Sequence, residues 1–263
     1  MQISEKCVNL STELHYFTMK TNSCFKNEAL EALRGNWGKA VLLALIYFLI
    51  TSALVGPSTY SSIQMRNYMT DQLGYSASLS QITAFTMDPE YQLMAKKVNG
   101  VSSGSFLLYV FLLFPLTLGF ANAFRKLLTE RDNNLVPNAF HLSFSNYLHK
   151  VWGMLLMSIF LALWSLLFVI PGIIKAYSYA MTPYILQEYP ELSANEAIDR
   201  SRYMMRGHKF DLFWLQLSFI GWFFLCILTA GIGFLWMEPY YETAKAAFYE
   251  EVKADYAVNG GLA

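Results

Sequence analysis

Four tracts of this 263-residue chain carry no charged side chain: residues 41–56, 106–124, 151–170 and 212–230. An α-helix needs about 20 mostly apolar residues to cross the roughly 30 Å hydrocarbon layer of a bilayer. All four tracts meet or approach that length, and a soluble core seldom needs four such helices. Composition agrees, with 55% apolar and only 14% charged residues, where a soluble domain carries about 25% charged. The chain reads as all-α, a polytopic membrane helical bundle.

Nineteen basic and nineteen acidic side chains balance, so net charge gives no reason to expect nucleic acid or an acidic partner. Cys7, Cys24 and Cys226 are too few and too scattered for a disulfide framework or a zinc site. His15, His141, His149 and His208 have no nucleophile motif beside them, and His141 with His149 fits an exposed interfacial pair better than a metal site. No CxxC, HExxH, Gly-rich phosphate loop or dinucleotide fingerprint occurs. No catalytic residue, metal or cofactor is therefore expected. Residues 1–23 are polar and lack the apolar core of a signal peptide, so the first internal span is expected to drive insertion. A compact basic leader (Lys20, Lys26) follows Met19, the expected natural start, leaving 1–22 as a disordered extension and 254–263 as a disordered tail.

Residues 24–36 form a short amphipathic pattern, with Phe25, Ala29, Leu33 and Trp37 four apart on one face. A first span at 38–55 stops at Gly56-Pro57, and the polar stretch 57–103 is expected outside as a loop with one surface helix near 89–98. The second span, 105–124, contains Pro115, a kink that neighbouring helices tolerate in a membrane. A second interfacial helix at 138–149 leads into the third span at 151–170. Pro171-Gly172 then turns the chain back through a fourth at 173–186. The third interfacial helix, 193–206, precedes a fifth span at 212–230, a break at Gly231-Ile-Gly233 and a sixth helix at 234–249. A single tilted span over 212–236, followed by a surface helix, is the alternative for that last pair. Lysine and arginine favour the cytoplasmic side. They gather in the N-terminal arm, at Arg125-Lys126, over 200–209 and at Lys245 and Lys253, which places both termini inside.

Each pair of spans has the same grammar. Leu33-Arg-Gly-Asn-Trp37, Leu148-His-Lys-Val-Trp152 and Met205-Arg-Gly-His-Lys-Phe210 each set a basic stretch before an aromatic that opens an apolar run. Trp37, Trp152 and Phe210 would then sit at headgroup depth, where aromatic rings are favoured. Each following helix ends in charge, at Arg125-Lys126, Gln187-Glu188 and Glu250-Glu251. The expected fold is one membrane domain at 23–253 with six spans. It comprises three repeated hairpins, about 23–130, 135–190 and 191–253, each preceded by an interfacial amphipathic helix. All three point the same way, unlike the inverted repeats of many secondary transporters.

Ser193 and Glu196 are spaced as a capping box, with Leu192 and Ala197 as its hydrophobic staple. Glu196 and Arg200 form an i,i+4 pair worth about 0.2–0.5 kcal/mol. That helix either fixes the angle between two hairpins or binds anionic lipid through Arg200, Arg202, Arg206 and Lys209. The second helix of each hairpin is the more polar one. Helices two, four and six are therefore expected to face one another, and the odd helices to face lipid. An unpaired charge at mid-membrane costs about 2.5–3.5 kcal/mol, which makes Lys175 with Glu238 or Glu242 the candidate intramembrane pair. Snorkelling of Lys175 to the outer headgroups is equally open to it.

Pro171-Gly-Ile-Ile-Lys-Ala-Tyr-Ser-Tyr, Leu192-Ser-Ala-Asn-Glu-Ala-Ile, Arg206-Gly-His-Lys-Phe-Asp-Leu-Phe, Ser218-Phe-Ile-Gly-Trp222, and Pro239-Tyr with Phe248-Tyr-Glu are specific sequences. With Glu31-Ala-Leu-Arg-Gly-Asn-Trp-Gly-Lys39 they make residues 19–251 resemble a bacterial family of integral membrane proteins, domain of unknown function 975. More loosely, the chain is similar to the membrane portion of certain glycerophosphodiester phosphodiesterases. Their catalytic barrel has no counterpart here, so no activity follows. The resemblance implies a six-helix protein of a bacterial plasma membrane. Since every polar feature has a packing role, the expected function is non-enzymatic: structural, assembly or lipid-interacting. The bilayer is the expected partner, and a homo-oligomer or membrane-protein partner is open. A small-solute transporter or channel subunit, using the polar groups of helices two, four and six, is the alternative.

Overall fold

The computed structural model describes residues 19–74 and 76–260, and among these it contains helices and turns but no strand. The helices are α1 Asn22–Leu33, α2 Trp37–Leu73, α3 Leu79–Thr86, α4 Pro89–Leu108, α5 Phe114–Glu130, α6 Leu135–Phe144, α7 Tyr147–Leu167, α8 Val169–Ser178, α9 Thr182–Glu188, α10 Ala194–Met204, α11 Lys209–Leu217, α12 Ile220–Leu228 and α13 Phe234–Asp255. Among the described residues, four helices are long and apolar enough to cross a membrane: Trp37–Leu73, Pro89–Glu130, Tyr147–Leu167 and Lys209–Leu228. The extension assigned to 1–22 lies outside the described residues up to residue 18. Beyond it, Lys20 is held by Glu28 at 2.9 Å and Glu251 at 3.1 Å, and α1 already begins at Asn22. The tail assigned to 254–263 is helical as far as Gly260.

Two compact units divide the chain, with Ile46–Leu113 forming one and the residues before and after it the other. In the smaller unit, the stretch 57–103 is helical over most of its length rather than a loop. Pro57 sits inside α2 and does not end it. A proline removes one donor from the helix, while Ser58, Thr59, Ser61 and Ser62 hydroxyls donate to carbonyls three or four residues back. Asp88 caps α4 through the Glu90 and Tyr91 N–H groups, with Pro89 in its first turn. A π-helical turn at Tyr109–Leu113 lies just before Pro115, where an extra residue in the ladder accommodates a missing N–H.

The larger unit is organised around α5 and α13, which pack against each other; α6 and α9 lie on α5, and α1 lies along α13. Ala244, Ala246 and Ala247 are fully or almost fully buried on α13, and small side chains let membrane helices approach closely. Phe25 of α1 meets Phe248 edge-on at 5.5 Å. The amphipathic α1, α6 and α10 each bury their apolar faces against this core. The second interfacial helix is thus Leu135–Phe144 instead of 138–149, and left-handed Asn146 separates it from α7. Lys150 is 1% exposed, and among the described residues no carboxylate pairs with it. Its ammonium donates to the Leu142 carbonyl and to Ser145 Oγ, closing the C-terminal end of α6 where free carbonyls favour a cation.

The turn expected at Pro171-Gly172 falls earlier. Helix α7 ends at Leu167, Phe168 is extended, and α8 starts at Val169 with Pro171 in its first turn. A proline is harmless there because the first N–H groups have no intrahelical acceptor. Gly172 instead permits close packing, since a Cβ on it would lie 2.6 Å from Ser165 Oγ. The expected fourth span is interrupted at 179–181, where Ser201 of α10 satisfies the loose ends. Its hydroxyl donates to the Ser178 carbonyl (2.9 Å) and accepts from the Met181 N–H (3.2 Å). A similar break separates α11 from α12, and there Lys26 Nζ donates to the Ser218 carbonyl at 2.7 Å. The chain then reverses through Ala230 (φ 52°) and Gly231 (φ 90°) into α13, so no single span runs over 212–236.

Candidate functional site

Glu238, Glu242, Lys245, Tyr249 and Lys253 recur every three or four residues on α13 and so share one helix face. Helices α5 and α9 meet that face. At its C-terminal end, four charges close into a ring. Arg125 Nη1 of α5 lies 2.7 Å from Glu250 Oε1 and 3.3 Å from Glu188 Oε2 of α9. Lys253 Nζ lies 2.9 Å from Glu188 Oε1 and 2.6 Å from Glu250 Oε2. Charges alternate around the ring and each carboxylate serves both cations. The Tyr249 hydroxyl donates to Glu188 Oε2 at 2.6 Å. Side-chain exposures of 14–25% put the ring at the edge of the core, where attraction is screened less than on an open surface.

Burial pushes the Glu188 carboxyl up, but hydrogen bonds from Tyr249 and Lys253 and the charge of Arg125 outweigh it and hold it below the ordinary carboxylate value. Burial likewise lowers the Lys253 ammonium, whose bonds to Glu250 and Glu188 raise it above the ordinary lysine value.

Further along α13, Tyr184 of α9 stacks on Tyr249 at 4.8 Å and donates to Glu242 Oε2 at 3.4 Å. Lys245 Nζ is 3.5 Å from Glu242 and 5.9 Å from the Tyr184 and Tyr241 rings. Gln216 of α11 donates to the Tyr241 hydroxyl (2.8 Å) and accepts from the Tyr177 hydroxyl of α8 (2.7 Å). Asn122 of α5 donates to the Pro183 carbonyl at 3.2 Å, tying α5 to α9. This arrangement cross-links α5, α9 and α13 through their charged and polar side chains.

The candidate pair comes apart. Lys175 Nζ lies over the Trp164 ring at 4.5 Å, and among the described residues no ion pair joins it to Glu238 or Glu242. Because α8 restarts at Val169, Lys175 is directed back onto α7; Glu242 takes Lys245 instead. Of the four basic residues assigned to lipid, Arg200 stacks on Tyr189 at 3.8 Å rather than pairing with Glu196, and Arg202 binds Asp199 at 3.0 Å. Arg206 and Lys209 have no carboxylate partner among the described residues. Trp152 is exposed and Trp37 half-exposed. The capping box forms: Ser193 N–H donates to Glu196 Oε2 at 2.7 Å, and Glu196 N–H to Ser193 Oγ at 3.3 Å. No motif in the sequence groups Arg125, Glu188 and Glu250, where each is a separate charge that follows an apolar stretch.

Helices of this number, length and apolarity, closed by a polar row that faces other helices, define an α-helical integral membrane protein. Within it, residues 166–256 match the model of a family described as "Protein of unknown function (DUF975)". The matched part runs from the α7–α8 turn through α13 and holds Glu188, Tyr249, Glu250 and Lys253, with Arg125 outside it. No curated protein and no solved structure matches.

Proposed function

We propose that this chain is a non-enzymatic structural, assembly or lipid-interacting protein of a bacterial plasma membrane. It has six spans in three repeated hairpins and both termini in the cytoplasm. The observation that carries the reading is the ring of Arg125, Glu188, Lys253 and Glu250: its charges neutralise one another and hold three helices together. A distant kinship with the membrane portion of glycerophosphodiester phosphodiesterases fits a role in the bilayer without carrying over their reaction. In proteoliposomes, the purified chain should leave permeability to small ions and solutes at the level of protein-free vesicles. Specific uptake abolished by Lys175→Ala or Glu238→Ala would establish a transporter instead.

Orientation has its own test. A tag fused after Ala263 should stay unlabelled by an impermeant reagent on intact cells and become labelled once they are permeabilised. Labelling from outside would mean an odd number of crossings and remove the threefold scheme.

A further inference from the structure

Two depressions run along α11 and share Tyr177 and Phe213, so they form one groove. The first, about 540 Å³, is walled by Ile173 and Ile174 of α8 and by Phe210 and Phe213 of α11, with Arg206 and Lys209 at the start of that helix. The second, about 430 Å³, continues past Phe219, Ile220 and Phe223 to Glu238. Helix α11, from Lys209 to Leu217, rises about 13 Å, and α12 carries the groove on to Phe223. That is enough to lay out one acyl chain, which fills half of the roughly 30 Å hydrocarbon core. The walls are bare: Phe210 is 74% and Ile173 53% exposed.

Charge distinguishes this groove from an ordinary greasy face. Arg206 is exposed with its guanidinium over Tyr203 at 4.2 Å, and Lys209 is half-exposed. Among the described residues neither has a carboxylate within ion-pair distance. The nearby acids are committed, Asp211 and Asp255 to His208 and Asp199 to Arg202. At the other end Glu238 disfavours an anion. An amphiphile with an anionic head and an apolar tail therefore fits in one direction only. Resting on the reading of this chain as a lipid-interacting membrane protein, we infer that the groove between α8 and α11 holds one anionic phospholipid, its phosphate on Arg206 and Lys209 and an acyl chain running toward Phe223.

Native mass spectrometry of the full chain in detergent, titrated with dioleoyl phosphatidylglycerol or dioleoyl phosphatidylcholine, tests this. One phosphatidylglycerol should be retained in preference to phosphatidylcholine. The double variant Arg206→Gln/Lys209→Gln should weaken that affinity about 30-fold, and Arg34→Gln/Lys39→Gln, which removes two exposed charges elsewhere, should leave it unchanged. Ile174→Trp, which fills the groove and keeps both cations, should also displace the lipid. The assignment is overturned by equal binding of the two lipids, by unchanged affinity in the double variant, by competition from soluble glycerol phosphate, or by lipid displacing a second copy of the chain. Any of these in chains without solute flux would leave the structural reading standing, whereas flux would remove that reading whatever lipid is bound.

Discussion

Gly119→Ala is expected to destabilise the protein by at least about 3 kcal/mol, enough to lose most of the folded material on purification. A Cβ at 119 would overlap Ser143 Oγ and the Ala139 carbonyl oxygen and would lie 2.9 Å from the Ser143 backbone nitrogen. Two of those atoms belong to the backbone of α6, so no rotamer change relieves the clash. The Ser143 hydroxyl is itself tied to the Ala139 carbonyl at 2.7 Å. Helices α5 and α6 would have to separate, and α5 also carries Arg125 to the charged ring. Small residues that allow backbone contact are the main means by which membrane helices attach to one another. Gly221→Ala is the control, because a Cβ there meets nothing within 4 Å. Thermal unfolding in detergent, followed by size-exclusion recovery, should separate the two. Equal recovery of both variants would show that the α5–α6 contact is not as close as these positions require.

Charge-free tracts made the long helices legible, because crossing hydrocarbon leaves a composition that nothing else in the chain imitates. Local chemistry was legible too: the capping box needs only Ser193 and Glu196, three residues apart. What could not be read depends on partners distant in sequence. The break at 218–219 is supported by Lys26, 192 residues away. The break at 179–181 rests on Ser201, which looks like any polar residue of an amphipathic helix. Pro171 misled for the opposite reason. Read as a stop, it is a residue a starting helix tolerates, and the actual turn residue, Phe168, has no turn signature.

The same division runs through the polar residues. The cost of an unpaired mid-membrane charge made Lys175 and Glu238 candidate partners, but that cost does not fix rotation about a helix axis. Moving the start of α8 from the far side of Gly172 to Val169 turns Lys175 toward Trp164. Arg200 illustrates a contest of energies: an exposed i,i+4 pair is worth about 0.2–0.5 kcal/mol, and stacking on Tyr189 is worth about 0.5–1 kcal/mol or more. The ring was visible in pieces. Glu188 ends α9, Arg125 and Glu250 lie within the last two turns of α5 and α13, and Lys253 supplies the missing charge. Their complementarity appears only when α5, α9 and α13 are brought together, with Arg125 and Glu250 125 residues apart in sequence.

Glu188→Gln is expected to cost about 2–3 kcal/mol, below the 3–5 kcal/mol typical of a fully buried pair because the ring retains some water. The substitution leaves Arg125 and Lys253 sharing Glu250 alone and weakens the Tyr249 hydrogen bond. Pairing Glu188→Gln with Arg125→Gln should recover part of the loss, since the second change removes the surplus cation; strict additivity would mean the two residues do not act through each other. The pH profile supplies an independent reading. Glu188 is held below its ordinary value of 4.5, so its contribution is complete above about pH 4.5 and is lost as pH falls through the lowered value. Lys253 is raised above 10.5, so its contribution is complete below about pH 10.5 and is lost as pH rises through the raised value. The melting-temperature difference between wild type and Glu188→Gln in detergent should therefore be constant from about pH 4.5 upward to the Lys253 limit and shrink as pH falls below about 4.5, because the group that titrates there is gone from the variant. An acid limb equally steep in the variant would place the acid sensitivity elsewhere, and the ring would then be an ornament on helices already held by their alanine contacts.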